Sequence, residues 1–311
     1  MDIEMKNNVS KLTMGTAQLG QMYGIANKTG KPNKKDALDI INYAVSKGIN
    51  SLDTAPGYGE SESIIGEFIH EQKTLKRKLP TIITKIPSVN LDCGSTTENM
   101  VAYVKKMVMS SLNKLNIQSI DVCLLHNPDD MTSYEGEVVS SLVKLKHEGL
   151  IKKIGISIYH PDEIKQVISL GCFDAVQIPI NILDHRLINS GLLNELSKHG
   201  IDIYARSIYL QGLIFLDPAD LPPYLQNAKE PLQKLRKLSL EIGLSPSELS
   251  MLFVRDIPEI KKIVIGCETK KQVESNLKLI TLPKLTDNII KQIHFLFNDV
   301  PEEIINPTMW N

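Results

Sequence analysis

Ile49-Asn50-Ser51-Leu52-Asp53-Thr54-Ala55-Pro56-Gly57-Tyr58-Gly59 begins as a short strand and runs directly into a Pro-Gly turn. Asp53 stands at the strand end and Tyr58 in the loop after it. The same design recurs along the chain. Pro80-Thr81-Ile82-Ile83-Thr84-Lys85 ends on a lysine, and Ile120-Asp121-Val122-Cys123-Leu124-Leu125 runs into His126. Leu12 to Thr16, Lys153 to Ser157, Ala175 to Ile178, Ile201 to Ala205 and Lys262 to Ile265 bring the runs to eight. All are short and largely apolar, as expected of strands buried on both faces.

Helical periodicity fills the intervals. Asn33 can cap a helix with Leu38, Ile41 and Val45 on one side and Gly48 at its end. Val101, Val104, Val108 and Leu112 recur at helical spacing, and Ser245-Pro246-Ser247-Glu248 is a capping box with proline at the first helical position. Eight strands alternating with helices predict a single-domain α/β fold, a (β/α)8 TIM barrel over residues 1–311, with a C-terminal tail from about 282. An open doubly wound sheet is the alternative. Leu216 to Glu230, with Pro218, Pro222 and Pro223, reads as a functional loop or lid.

Bulk properties narrow the function. The chain has 311 residues and a formal charge of −1, so neither a nucleic acid nor a membrane surface is an expected partner. Cys93, Cys123, Cys172 and Cys267 are far apart, which predicts reduced thiols, no bound metal and a cytoplasmic setting. The first residues lack the apolar core of a signal peptide. Nothing in the pattern specifies an oligomer.

Strand ends in a barrel open onto one face, so Asp53, Tyr58, Lys85 and His126 are expected to converge there. Singly, each has a plainer reading: a structural ion pair, a surface tyrosine, a rim histidine. Together they suit carbonyl chemistry. An ammonium favours the anionic form of a nearby phenol, a carboxylate orients the ammonium, and an imidazole can polarise a carbonyl. A hydride has to come from a cofactor.

With Tyr58-Gly59-Glu60-Ser61-Glu62 beside them, these four residues resemble the aldo-keto reductases in order and spacing, and the resemblance runs from Gly15 to about Asn276. It implies a (β/α)8 barrel, a catalytic Asp53, Tyr58, Lys85 and His126, and NADH or NADPH bound along the strand ends. It also implies that Gly15, Thr16, Ala17 and Asp53 lie near the nicotinamide ribose. Ser157 and Gln177 would hold the carboxamide. Ile158 replaces an asparagine common in relatives, and Asn181 is a candidate to compensate or to shape a turn. Arg206 takes the place of a tyrosine that stacks on the nicotinamide; amides around Ser207, Leu210 and Gly212 would meet the pyrophosphate. Gly266, Glu268, Gln272 and Asn276 would hold the adenosine end. Glu268 would accept from a ribose hydroxyl and repel a 2′-phosphate, which leans toward NADH, although Lys270 and Lys271 can reach a phosphate.

The pocket loops offer Tyr23, Asn27, Asn127 and Trp310 as substrate contacts, and the 5% aromatic content suits a small, polar or sugar-like carbonyl compound. Two other functions start from the same residues. One is a nicotinamide-binding regulatory or redox-sensing protein. The other is a barrel lyase with a Schiff base on Lys85, which requires a neutral lysine that Asp53 disfavours.

Overall fold

The computed structural model describes residues 8–90 and 97–310. Cys93 lies outside them. The strands are β1 (Leu12–Gly15), β2 (Ser51–Asp53), β3 (Thr81–Ile86), β4 (Ile120–Leu125), β5 (Ile151–Ser157), β6 (Ala175–Pro179), β7 (Asp202–Arg206) and β8 (Ile260–Gly266). They pair in parallel, in chain order, and β1 also pairs with β8, closing a (β/α)8 barrel. The open-sheet alternative is thereby excluded.

Register explains how the site is assembled. Gly15 lies opposite Asp53 on one side and Gly266 on the other, and Ser157 lies opposite Gln177. Side chains two apart on a strand share a face. Ile83, Val122, Leu124, Ala175 and Tyr204 form a small apolar cluster of their own, separate from the main core. Two residues further along the same strands come Lys85, Gln177 and Arg206. The polar groups are therefore the next inward tier above an apolar plug.

Helices α1 (Lys34–Ser46), α2 (Ser61–Thr74), α3 (Thr97–Leu115), α4 (Glu137–His147), α5 (Pro161–Leu170), α6 (Leu192–Lys198), α7 (Pro246–Arg255) and α8 (Lys270–Leu279) surround the strands. Asn33 caps α1 by accepting from the Asp36 amide, and Ser245 and Glu248 form a reciprocal capping box at α7. The buried stripe of α1 is Ala37, Ile40, Ile41 and Ala44, whereas Leu38 and Val45 flank it, half-buried. Sequence periodicity had the right helix but a stripe rotated by about one residue, because alanines count little in an apolar pattern yet pack closest.

The segment after β7 is packed down. Leu221, Leu225 and Ala228 are buried, Arg236 Nη2 donates to the Leu216 carbonyl at 2.8 Å, and Pro223–Ala228 forms a 3-10 turn. Beyond residue 282, helices Asp287–Phe297 and Glu302–Ile305 bury Ile293, Phe297, Ile304 and Ile305 in the main core. Arg186 ties this end to the barrel by bridging Asp184 and Glu302. Among the described residues, no helix is long and apolar enough to cross a membrane.

Candidate active site

Lys85 is 1% exposed, so its charge has to be met inside the protein. Its Nζ donates to Asp53 Oδ1 at 2.8 Å and to the Thr54 carbonyl at 3.0 Å. The second carboxylate oxygen of Asp53 accepts from Gln177 Nε2 at 2.7 Å. Burial works against the ammonium, but the charge of Asp53 and the hydrogen-bonding phenol of Tyr58 outweigh it, and the Lys85 pKa is raised. Lys85 is a fixed cation, as its partner Asp53 demands.

Tyr58 sits on this cation, with its ring centroid 4.9 Å from Lys85 Nζ. The His126 ring meets Tyr58 edge-on, with centroids 6.1 Å apart and planes at 87°. Burial pushes the His126 pKa down to about 4, and the Lys85 charge adds to it. At neutral pH this imidazole is uncharged and offers an N–H donor. The four residues thus gather where the strand ends converge.

Besides His294, which burial also lowers, His185 is depressed. Its ring stacks on Phe253 at 5.1 Å and meets His294 at 4.9 Å, and burial together with His294 brings it down to about 4. The folded values of His126 and His185 both lie below the free value near 6.5, so on acidification the unfolded chain takes up protons first. Stability from the neutral rings is complete above about pH 6.5 and is lost as pH falls toward 4. A loss on the order of 2 kcal/mol per histidine is expected. Thermal melts across this range check it. His185→Phe should flatten the acid limb, and a Tm independent of pH between 6.5 and 4 would contradict it.

Beside the four residues runs a groove of about 540 Å³, within the range of small-molecule and cofactor sites. Gly15, Thr16, Ala17, Asp53, Gln177, Arg206, Ser207 and Gly212 line it, as do Gly266, Glu268, Gln272 and Asn276, with Gly15 and Gly266 side by side on paired strands. Two glycines keep its walls close. A Cβ on Gly266 would collide with the Gln18 side chain, and one on Gly212 (φ +98) would lie 2.6 Å from Ala26 Cβ. The Ile25 amide also donates to the Gln211 carbonyl at 3.0 Å, so the loops after β1 and β7 touch. A groove of this volume beside the four residues, with glycine-lined walls, fits a nicotinamide cofactor.

Several expected contacts are spent on the protein itself. Gln177 gives its amide N–H to Asp53, leaving its oxygen for a ligand. Thr16 Oγ1 donates to the Asp53 carbonyl at 2.8 Å. Ser157 and Leu210 are buried and do not line the groove. The Leu210 and Gly212 amides donate to the Ser207 and Tyr209 carbonyls at 2.9 and 2.8 Å, closing a turn in which Ser207, Leu210 and Gln211 all have positive φ. These two amides are therefore not free for a pyrophosphate. Gln272 Oε1 caps its own helix by accepting from the Glu268 and Thr269 amides, and Asn276 bridges Tyr209 Oη and Cys267 Sγ. Asn181 shapes a turn by accepting from the Leu183 and Asp184 amides.

The substrate residues divide. Tyr23 and Asn27 line the groove, although Asn27 uses its side chain to hold the loop through the Thr29 and Gly30 amides. Asn127 and Trp310 do not line it. Asn127 caps the 3-10 turn after β4, and Trp310 Nε1 folds the chain end back onto the Glu303 carbonyl of the tail at 3.0 Å. Gln18 and Tyr209 are groove residues that sequence reasoning missed. No motif marks them; only the close approach of Gln18 to Gly266 and the Tyr209–Asn276 bond reveal them.

A barrel carrying this buried cluster beside a cofactor-sized groove defines a barrel oxidoreductase. The sequence profile described as "Aldo/keto reductase family" matches residues 11–296, and the chain belongs to that family. An uncharacterised oxidoreductase of Bacillus subtilis is 28% identical over 300 residues, covering 92% of both chains. An NADH-specific methylglyoxal reductase of Escherichia coli is 31% identical over 221 residues, 66% of this chain and 65% of that one. The holo form of an aldo-keto reductase from Bacillus halodurans superposes with a TM-score of 0.75 at 23% identity, covering 95% of both chains. The protein is an NAD(P)-dependent oxidoreductase of the kind that acts on small carbonyl compounds.

Proposed function

We propose that this protein reduces a small polar aldehyde or ketone reversibly, with Tyr58 as the proton donor. The observation that carries this reading is the Tyr58 ring held against a buried, Asp53-locked Lys85 ammonium, with a neutral His126 at its edge. A nicotinamide cofactor, when bound, supplies the hydride. The chain's own residues do the rest. The uncharged His126 donates a hydrogen bond to the carbonyl oxygen and polarises it without competing for its proton. Tyr58 passes its proton to that oxygen, and the fixed ammonium of Lys85 stabilises the negative charge that builds on the phenol oxygen. Asp53 keeps Lys85 charged, and Gln177 keeps Asp53 oriented. Gly15, Ala17 and the Gln177 amide oxygen would face the nicotinamide end, and Gly266, Glu268 and Gln18 the adenosine end. The expected compartment is the cytoplasm. Loss of NADH or NADPH absorbance with a panel of aldehydes and keto-sugars tests the activity. Cofactor binding without oxidation by any member of that panel would turn us to a sensing role.

For the cofactor we favour NADH. Lys270, the cation best placed at the adenosine end, is paired with Asp39 at 3.3 Å, and Asp36, Asp39 and Glu268 line the adjoining recess. A 2′-phosphate would meet carboxylates there and find its lysine engaged. Fluorescence titration should give a lower Kd for NADH than for NADPH. Glu268→Lys should shift the ratio toward NADPH by about tenfold, the effect of one charge-assisted contact. An unchanged ratio would remove Glu268 from the argument.

A further inference from the structure

Ser61 opens α2 just after the loop that carries Tyr58, and its hydroxyl meets those of Thr16 and Thr54. All three residues are at most 1% exposed, so the contacts are made away from water. Ser61 Oγ donates to Thr16 Oγ1 at 2.6 Å, and Thr16 Oγ1 donates to the Asp53 carbonyl at 2.8 Å. A hydroxyl has a single proton to give, so Ser61 has spent its own on Thr16. Thr54 Oγ1, 2.9 Å from Ser61 Oγ, is therefore the donor of that pair. The result is a directed chain, from Thr54 to Ser61 to Thr16 to the Asp53 carbonyl, with every hydroxyl proton committed.

This chain pins both ends of the loop 55–60. Thr54 stands before it and Ser61 after it. Between them the Tyr58 amide donates to the Ala55 carbonyl at 3.0 Å, and the Ser61 amide to the Tyr58 carbonyl at 3.1 Å. Thr54 also offers its own carbonyl to Lys85 Nζ at 3.0 Å. One hydroxyl thus joins the main chain that carries Tyr58 to the main chain that holds Lys85. The turn Ala17–Gly20 leaves the loop no slack, because a Cβ on Gly20 would lie 1.8 Å from the Tyr58 carbonyl oxygen. We infer that Ser61 is a positioning residue, whose hydroxyl sets the Tyr58 phenol in register with the Lys85 ammonium. Ser61 does not line the groove; it acts by holding the proton donor where transfer requires it. The inference rests on the reading of Tyr58 as proton donor. Glu62 Oε1 accepts separately from Thr84 Oγ1 at 2.8 Å, so loss of the Ser61 hydroxyl leaves the start of α2 docked on β3.

Ser61→Ala in the full chain tests it. Hydrogen exchange read by mass spectrometry needs no substrate. Amides of residues 55–61 should exchange about tenfold faster than in the parent, while those of β3 should not change. With a carbonyl compound that the protein consumes, kcat should fall about tenfold to a hundredfold, with KM and the Kd for NADH within about twofold of the parent. A purely structural role would cost the same in any background, whereas a role played through Tyr58 vanishes with the phenol hydroxyl. Adding Ser61→Ala to Tyr58→Phe should therefore change the residual rate by less than about twofold. Thr54→Val removes the same link from its other end and serves if the alanine variant fails to fold. Unchanged exchange in Ser61→Ala, or a kcat within about twofold of the parent, overturns the inference. So does an equal fall of kcat in the parent and Tyr58→Phe backgrounds, with the proton-donor reading left standing. A Tyr58→Phe variant as active as the parent is a different failure: it removes that reading, and the role of Ser61 with it.

Discussion

Tyr58→Phe is expected to lower kcat for carbonyl reduction by about a hundredfold to ten-thousandfold, the range for loss of a positioned general acid. The ring stays in place, because its packing against Lys85 and His126 is a contact of the aromatic face and edge. Only the hydroxyl is lost, so Tm and the Kd for NADH should change little. Steady-state kinetics beside a thermal melt and a fluorescence titration make the comparison. A variant that keeps kcat within about threefold of the parent contradicts proton donation by Tyr58, since even the low end of that range is far larger.

The second large effect concerns Lys85, and it separates a structural ion pair from a working one. Lys85→Met leaves Asp53 buried with Gln177 and without its cation. Breaking a buried pair on one side costs about 3–5 kcal/mol. The variant should melt several degrees below the parent and show no measurable turnover. In the double variant Asp53→Leu, Lys85→Met no charge is stranded, and replacement of a buried pair by apolar groups is often neutral or stabilising. The double variant should recover most of the lost Tm and none of the activity. Were activity to return with stability, the pair would be scaffolding alone, and the reading of Lys85 as support for the Tyr58 phenol would be withdrawn.

The barrel was legible because its strands are buried on both faces, which writes them as short apolar runs of the type ending in Asp53, Lys85 and His126. Their convergence follows from topology alone: once β1 to β8 close in order, strand ends lie on one rim. Side-chain commitments were not legible. Gln177, Gln272 and Asn276 are amides, equally able to bind a ligand or the protein, and only the folded arrangement shows that each is already engaged. Asn127 and Trp310 lie near the right strand end and chain end, but their hydrogen bonds go to the backbone. Arg206 was visible as a departure from an aromatic position.

In the proposed reaction this cluster delivers a proton to an oxygen while a hydride reaches the adjoining carbon. That reaction is tested most directly by supplying NADH or NADPH carrying deuterium at the transferable C4 position, together with a carbonyl compound that the protein consumes. Mass spectrometry of the alcohol should find one deuterium, bonded to the carbinol carbon. Tyr58→Phe should make the same labelled product at the reduced rate given above. Alcohol without deuterium, or labelled alcohol formed as fast by Tyr58→Phe as by the parent, would contradict the account.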